Sequence, residues 1–153
     1  MTHPVLVSAC LTGRACRYDG ESKPLDTLAK ALGTRSFVAV CPEELGGLGT
    51  PRPAATLVGG PGASVWEGRA RVVRLVDGAD LTGAFTVGAV RARAEAPSAT
   101  LAILKARSPS CGCGVTSVDG EKASGDGVFA ALLRSQGVTI VTDEAVSVSG
   151  LEV

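Results

Sequence analysis

Four short aliphatic runs lie far apart along the chain: "PVLVSA" (4–9), "SFVAV" (36–40), "TLAILKA" (100–106) and "VTIVT" (138–142). Runs of this kind suit parallel strands covered by helices on both faces. Aromatic residues make up only 3% of the chain, so Val, Leu, Ile and Ala must fill the core. The stretches between the runs carry helical spacing. "KPLDTLAKALG" (23–33) has apolar residues at 25, 28, 29 and 32 and ends on Gly33 as a C-cap. "LTGAFTVGAVRARAEA" (81–96) turns an apolar side at 81, 85, 89 and 92, with Pro97 beyond it. "DGVFAALLRSQG" (126–137) is the clearest helix, with Asp126 as N-cap and Gly137 just past its end.

Strand and helix in alternation predict the α/β class. The expected architecture is a single domain over 1–153, a three-layer sandwich around a mostly parallel sheet with a Rossmann-like order of βα units. The length of 153 residues is enough to bury a core without disulfides. "RVVRLV" (71–76) reads as an edge strand, and "SVDGEKASG" (117–125) as a small hairpin or loop. The Gly/Pro-rich passage at 42–64 shows no periodicity, and the tail after 142 carries no signal. Neither a dinucleotide fingerprint nor a phosphate-binding loop sequence is present.

Charge and targeting narrow the function classes. Fifteen basic and fifteen acidic side chains cancel, with no basic block, so bulk nucleic acid is not an expected partner. The single histidine, His3, lies near the terminus, which argues against a Ser–His or Cys–His catalytic pair. The opening "MTHPVLVSACLTGR" lacks a charged n-region and a full apolar h-region, and no segment has the length of a membrane span. A cytoplasmic location is the default. In that reducing compartment five cysteines read as metal ligands or reactive thiols rather than staples.

Cys10 follows the first run, Cys41 the second, and Cys111 lies a few residues past the third. In an open parallel sheet the loops leaving the carboxyl ends share one edge, where ligands bind. Three thiols distant in sequence therefore converge. "CPEELGGLG" and "SPSCGCG" set residues of extreme backbone character beside them. Glycine-rich turns there either meet a tight-turn requirement or offer N–H groups to a polyanionic sulfur cluster. Thiolates favour zinc, copper(I) or iron–sulfur clusters. A zinc site needs a fourth ligand, for which Cys16, Cys113 and Glu43 are candidates. A four-iron cluster on three cysteines leaves one iron open.

The blocks "VSACLTGRACRYDG", "CPEELGGLGTPR", "DGADLTGAF", "AILKARSPSCG" and "GDGVFAALLRSQGV" resemble, in order, the signature blocks of the DUF523 family, which includes the thiouracil desulfidases. The resemblance runs from about residue 5 to 142. It implies a [4Fe–4S] cluster on Cys10, Cys41 and Cys111, with Glu43 and Ser108 in the chemistry. The implied reaction is non-redox removal of sulfur from thiouracil or a related thiopyrimidine or thionucleotide, with hydrosulfide released. Glu43 is then the general base or proton shuttle. Ser108 either orients the ring, bonds cluster sulfur or forms a Ser-Pro turn. Lys105, Arg17, Asp19, Arg52 and Asp126 lie in the matching blocks as candidate substrate contacts. Pairs such as Arg17–Asp19, or an Arg–Glu pair, serve equally to hold the loops. Asp126 would aim a helix N-terminus at the pocket. Cys113 is additional to "SPSCG", and Cys16 reads as a packed thiol or as one standing just behind the ligands. Trp66 is either a lid or core cover. Two other readings stand beside this one: a non-catalytic binding module stapled by cysteines and zinc, and a thiol redox enzyme using "CGC".

Overall fold

The computed structural model describes residues 3–149. Along the chain it forms β1 (Val5–Ser8), α1 (Leu28–Leu32), β2 (Phe37–Val40), α2 (Pro42–Leu45), β3 (Ala55–Val58), α3 (Gly62–Trp66) and β4 (Arg71–Arg74). There follow α4 (Thr82–Glu95), β5 (Leu101–Leu104), β6 (Val115–Val118), β7 (Glu121–Ser124), α5 (Val128–Ser135), β8 (Thr139–Thr142) and α6 (Asp143–Ser149).

The four aliphatic runs become one parallel sheet in the order β2-β1-β5-β8. Every residue of the central strands β1 and β5 is buried, as continuous apolar runs require. Side chains alternate between two packed layers. Leu6, Ala102 and Leu104 face Phe85 of α4 and Phe129 of α5, whereas Val5, Val7, Leu101 and Ile103 face Leu28 and Leu32 of α1 and Val146 of α6. That is the expected three-layer arrangement.

A second, mixed sheet stands beside it in the order β4-β3-β6-β7. The hairpin expected at 117–125 is β6–β7, and "RVVRLV" supplies β4 at the sheet edge. Leu57 of β3 and Val72 of β4 join the same core cluster as Phe85 and Phe129, so one core serves both sheets. The passage at 42–64 thus holds α2, β3 and α3 rather than bare loop. Elements of four or five residues span too little sequence to show a period.

Two further expectations are corrected. The helix foreseen over 23–33 forms only at Leu28–Leu32; Leu28 and Leu32 are buried but Ala29 faces solvent. The N-cap position of α5 is Gly127, not Asp126, whose carboxylate instead accepts the Gly114 N–H at 2.8 Å. Gly137 does follow α5 with φ at 79°. Helix α4 is close to its expected span, with Leu81, Phe85, Ala89 and Ala92 all buried. Its Gly88 lets α2 press against it: a Cβ there would sit 1.9 Å from the Pro42 carbonyl oxygen. The helix after β2 is thereby held in place, along with the residues it carries. Among the described residues no helix is long and apolar enough to cross a membrane.

Candidate metal centre

The carboxyl ends of the parallel strands deliver the thiols. Strand β1 runs into a 3-10 turn, Ala9–Thr12, that carries Cys10. Cys41 directly follows β2 and stands at the N-cap of α2, with Pro42 at the first helical position. Strand β5 leads through Lys105 to the turn bearing Cys111. These three cysteines line one cavity of about 400 Å³, roofed on its other side by Ala55 of β3 and Ser117 of β6. Cys10, Cys41 and Cys111 are each buried, and no disulfide joins them.

A fourth thiol shares the wall. Cys16, from the loop after the 3-10 turn, is 2% exposed and lines the same cavity. The sulfurs of Cys16 and Cys41 and a carboxylate oxygen of Glu44 lie within 4.8 Å of one another. The Cys41 thiol also donates to the Cys16 carbonyl at 3.7 Å. No periodicity in 13–27 marks this loop as part of the site. The only signal is the cysteine itself in "CRYDG".

Crowding and burial keep Cys16, Cys41 and Cys111 protonated when nothing binds them. A hydrogen bond with Cys10 lifts Cys16 to about 11, burial adds to the rise, and Cys41 opposes it. Cys41 is raised further, by its bond with Cys16 and then by burial. Burial raises Cys111, against a hydrogen bond from Ser8. A cationic group reverses this balance, because thiolates are its ligands. Four buried, unoxidised thiols without a competing imidazole fit a thiophilic metal group.

Glu43, in the first turn of α2, reaches the cavity with its side chain 15% exposed. Arg52 Nε lies 3.2 Å from its Oε1, and the Ser110 hydroxyl donates to Oε2 at 3.4 Å. Burial pushes the Glu43 carboxyl above its ordinary value, and Arg52 and Ser110 only partly offset it. Ser110 escaped the sequence reading although it is the second Ser of "SPSCG". Arg52 is the centre of a clamp, giving further hydrogen bonds to the Gly49 carbonyl, the Thr50 hydroxyl and the Cys16 carbonyl.

Ser108 lines the cavity, and its hydroxyl oxygen accepts the N–H groups of Ser110 (3.1 Å) and Cys111 (3.0 Å). The Ser-Pro turn is thus formed by that side chain, leaving its O–H proton free to donate. Lys105 and Arg17 also line the cavity. Lys105 Nζ sits 3.6 Å from Asp143, and Arg17 3.8 Å from Asp19. Asp19 itself stands off the cavity wall and holds its loop by accepting the Glu21 N–H.

Asp126 is also absent from that wall, which corrects its proposed aim at the pocket. The N-terminal N–H groups of α5 are filled by loop carbonyls: Val128 donates to Pro109, and Phe129 and Ala130 to Ser110. The helix grips the Cys111 turn instead of presenting an empty anion site. Gly127 makes that grip possible, since a Cβ there would lie 2.6 Å from both the Pro109 and Ser110 oxygens. Cys113 is half-buried outside the cavity, accepting from Arg134 at 2.9 Å, while Arg134 also pairs with Asp126. Trp66 donates to the Val128 carbonyl and tethers α3 to α5 rather than covering the cavity. His3 is exposed.

Known proteins match this chain along nearly its full length. The family model described as 2-thiouracil desulfurase matches residues 5–145. The uncharacterized protein YbbK of Bacillus subtilis (strain 168) is 39% identical over 144 residues, covering 91% of this chain and 95% of its own. The solved structure of the [4Fe–4S]-dependent thiouracil desulfidase TudS (DUF523Vcz) superposes with a TM-score of 0.76 at 37% identity, covering 94% of this chain and 92% of that one.

Proposed function

The chain belongs to the 2-thiouracil desulfurase family, and we propose that it removes sulfur from thiouracil or a related thiopyrimidine with the help of a [4Fe–4S] cluster. The observation that carries the reading is the meeting of buried thiols and one largely buried carboxylate in a single cavity at the carboxyl edge of the parallel sheet. Cys10, Cys41 and Cys111 would hold the cluster, each fixed by the end of a different strand. When bound, it supplies a Lewis-acidic iron with affinity for soft sulfur.

The chain's own residues supply the proton chemistry. Replacing a ring C=S by C=O consumes one water and releases hydrosulfide, with no net electron transfer. Glu43 is the base that takes the proton from that water. Arg52 holds Oε1, so Oε2, shared with Ser110, is the atom that receives it. Its raised affinity suits it to keep that proton and return it to the departing sulfur. The free O–H of Ser108 faces the same cavity and orients the ring's acceptor. Lys105 and Arg17 add positive charge at the rim.

A small substrate suits a chain of zero net charge, and free thiols suit a reducing cytoplasm. The test is anaerobic reconstitution followed by iron, sulfide and zinc counts and thiouracil turnover on the same sample. About four irons and four sulfides per chain with hydrosulfide release are expected. Zinc alone, without a cluster, would overturn the reading in favour of a stapled cysteine module.

A further inference from the structure

Four thiols surround a cavity whose chemistry needs three. If Cys16 bound iron permanently, no position would stay open, and an open position is what separates a catalytic metal site from a structural one. If it were only packing, its burial beside Cys10 and Cys41 would leave a soft donor idle in the wall of the metal site. The backbone around it separates these cases. Cys10, Cys41 and Cys111 are pinned by a strand end, a helix N-cap and the grip of α5. Cys16 rides on the irregular segment between the 3-10 turn and α1, where its carbonyl is anchored by Arg52 at 3.0 Å. Its side chain is thus held at the cavity by a clamp on its backbone.

Resting on the cluster reading above, we propose that Cys16 is a displaceable fourth thiolate, capping the open iron when substrate is absent and giving way when substrate sulfur arrives. The exchange is balanced. One iron–sulfur bond to Cys16 breaks and one to the incoming sulfur forms, with no change of oxidation state. The freed thiolate takes its proton from solvent water; the Glu44 carboxylate within 4.8 Å is already held by Arg14 and Thr50. Such a cap shields the reactive iron between turnovers.

The test uses the full chain, reconstituted anaerobically as wild type, Cys16→Ser and Cys16→Ala. The probe is sodium hydrosulfide, followed by the Mössbauer signature of the unique iron; the second readout is the rate of cluster bleaching in air. If the cap occupies about nine in ten resting molecules, wild type binds the probe roughly tenfold more weakly than either variant. Both variants are expected to load iron fully, bind the probe about tenfold more tightly and bleach several-fold faster. Serine preserves the packing, so a purely structural Cys16 would leave the serine variant like wild type in both readouts, overturning the proposal. Loss of iron from both variants would make Cys16 a permanent ligand and overturn it equally. A wild-type chain that takes up no iron would instead sink the cluster reading beneath.

Discussion

In the proposed reaction, Glu43 is the side chain on which the chemistry turns. A buried carboxylate with one guanidinium partner keeps its charge less readily than a free one, and its pKa is raised by burial first of all. A base must be ionised to act, so activity falls as pH drops through this raised value. The acid limb of the rate profile is expected above the ordinary carboxylate value of 4.5. Glu43→Gln keeps the hydrogen bond from Arg52 but cannot take a proton. It is expected to load iron normally while turnover drops about 10²–10⁴-fold, and the residual rate should lose that acid limb. Full turnover in the variant would remove the assignment. The "CGC" pair separates as cleanly. Cys111 lies inside the cavity and Cys113 outside it against Arg134. Cys111→Ser should abolish cluster loading, and Cys113→Ser should leave iron content unchanged; the reverse result would reassign the third ligand.

At the scale of elements, the placing of Cys41 and Glu43 depends on the contact between α2 and α4. Gly88→Ala drives a methyl group into the Pro42 carbonyl, whose oxygen lies 1.9 Å from where the alanine Cβ would stand. The strain should cost on the order of 3 kcal/mol and displace α2, so thermal scans and iron loading should fall together. A fall in stability with intact loading would show that α2 does not set the site. What the sequence revealed of these elements follows from their length. Helix α4, with fourteen residues, repeats its apolar side often enough to be seen, and β1 and β5 announce themselves by unbroken burial. Strand β3 and helix α2 have four residues each and stand among Gly and Pro, so nothing in 42–64 betrayed the second sheet. The strand-end argument brought Cys10, Cys41 and Cys111 together because β-strand order and direction alone decide it. Cys16 reaches the cavity, and Ser110 the Glu43 carboxylate, through loop geometry, which periodicity does not encode.

Over the whole molecule, protons and the proposed cluster compete for the same sulfurs, and the competition gives opposite trends with pH. In the metal-free fold Cys16 is raised from the ordinary 9.0 to about 11, and Cys41 and Cys111 are raised as well. Groups raised on folding add stability that is fully present below the unfolded value and lost as pH rises through the folded one. The apo protein should therefore weaken above about pH 9, when the unfolded chain ionises its thiols first. Loading runs the other way. Each thiol that binds as thiolate releases one proton, so the loading constant rises about tenfold per pH unit for every such thiol. Three ligands make the dependence steep across neutral pH. Cys111 packs in the core shared by both sheets, and Cys10 and Cys41 in the layer between the parallel sheet and α1. Aliphatic side chains fill most of both layers without any metal, so the apo chain is expected to keep its far-ultraviolet dichroism while its melting temperature drops. Reconstitution at about pH 6.5 and 8.5 with iron counts at limiting iron checks the loading trend, and melts of the apo protein at about pH 8 and 10.5 check the loss of stability. Loading that is no greater at the higher pH would mean the cavity thiols already stand ionised, and the crowding argument for this site would fail with it.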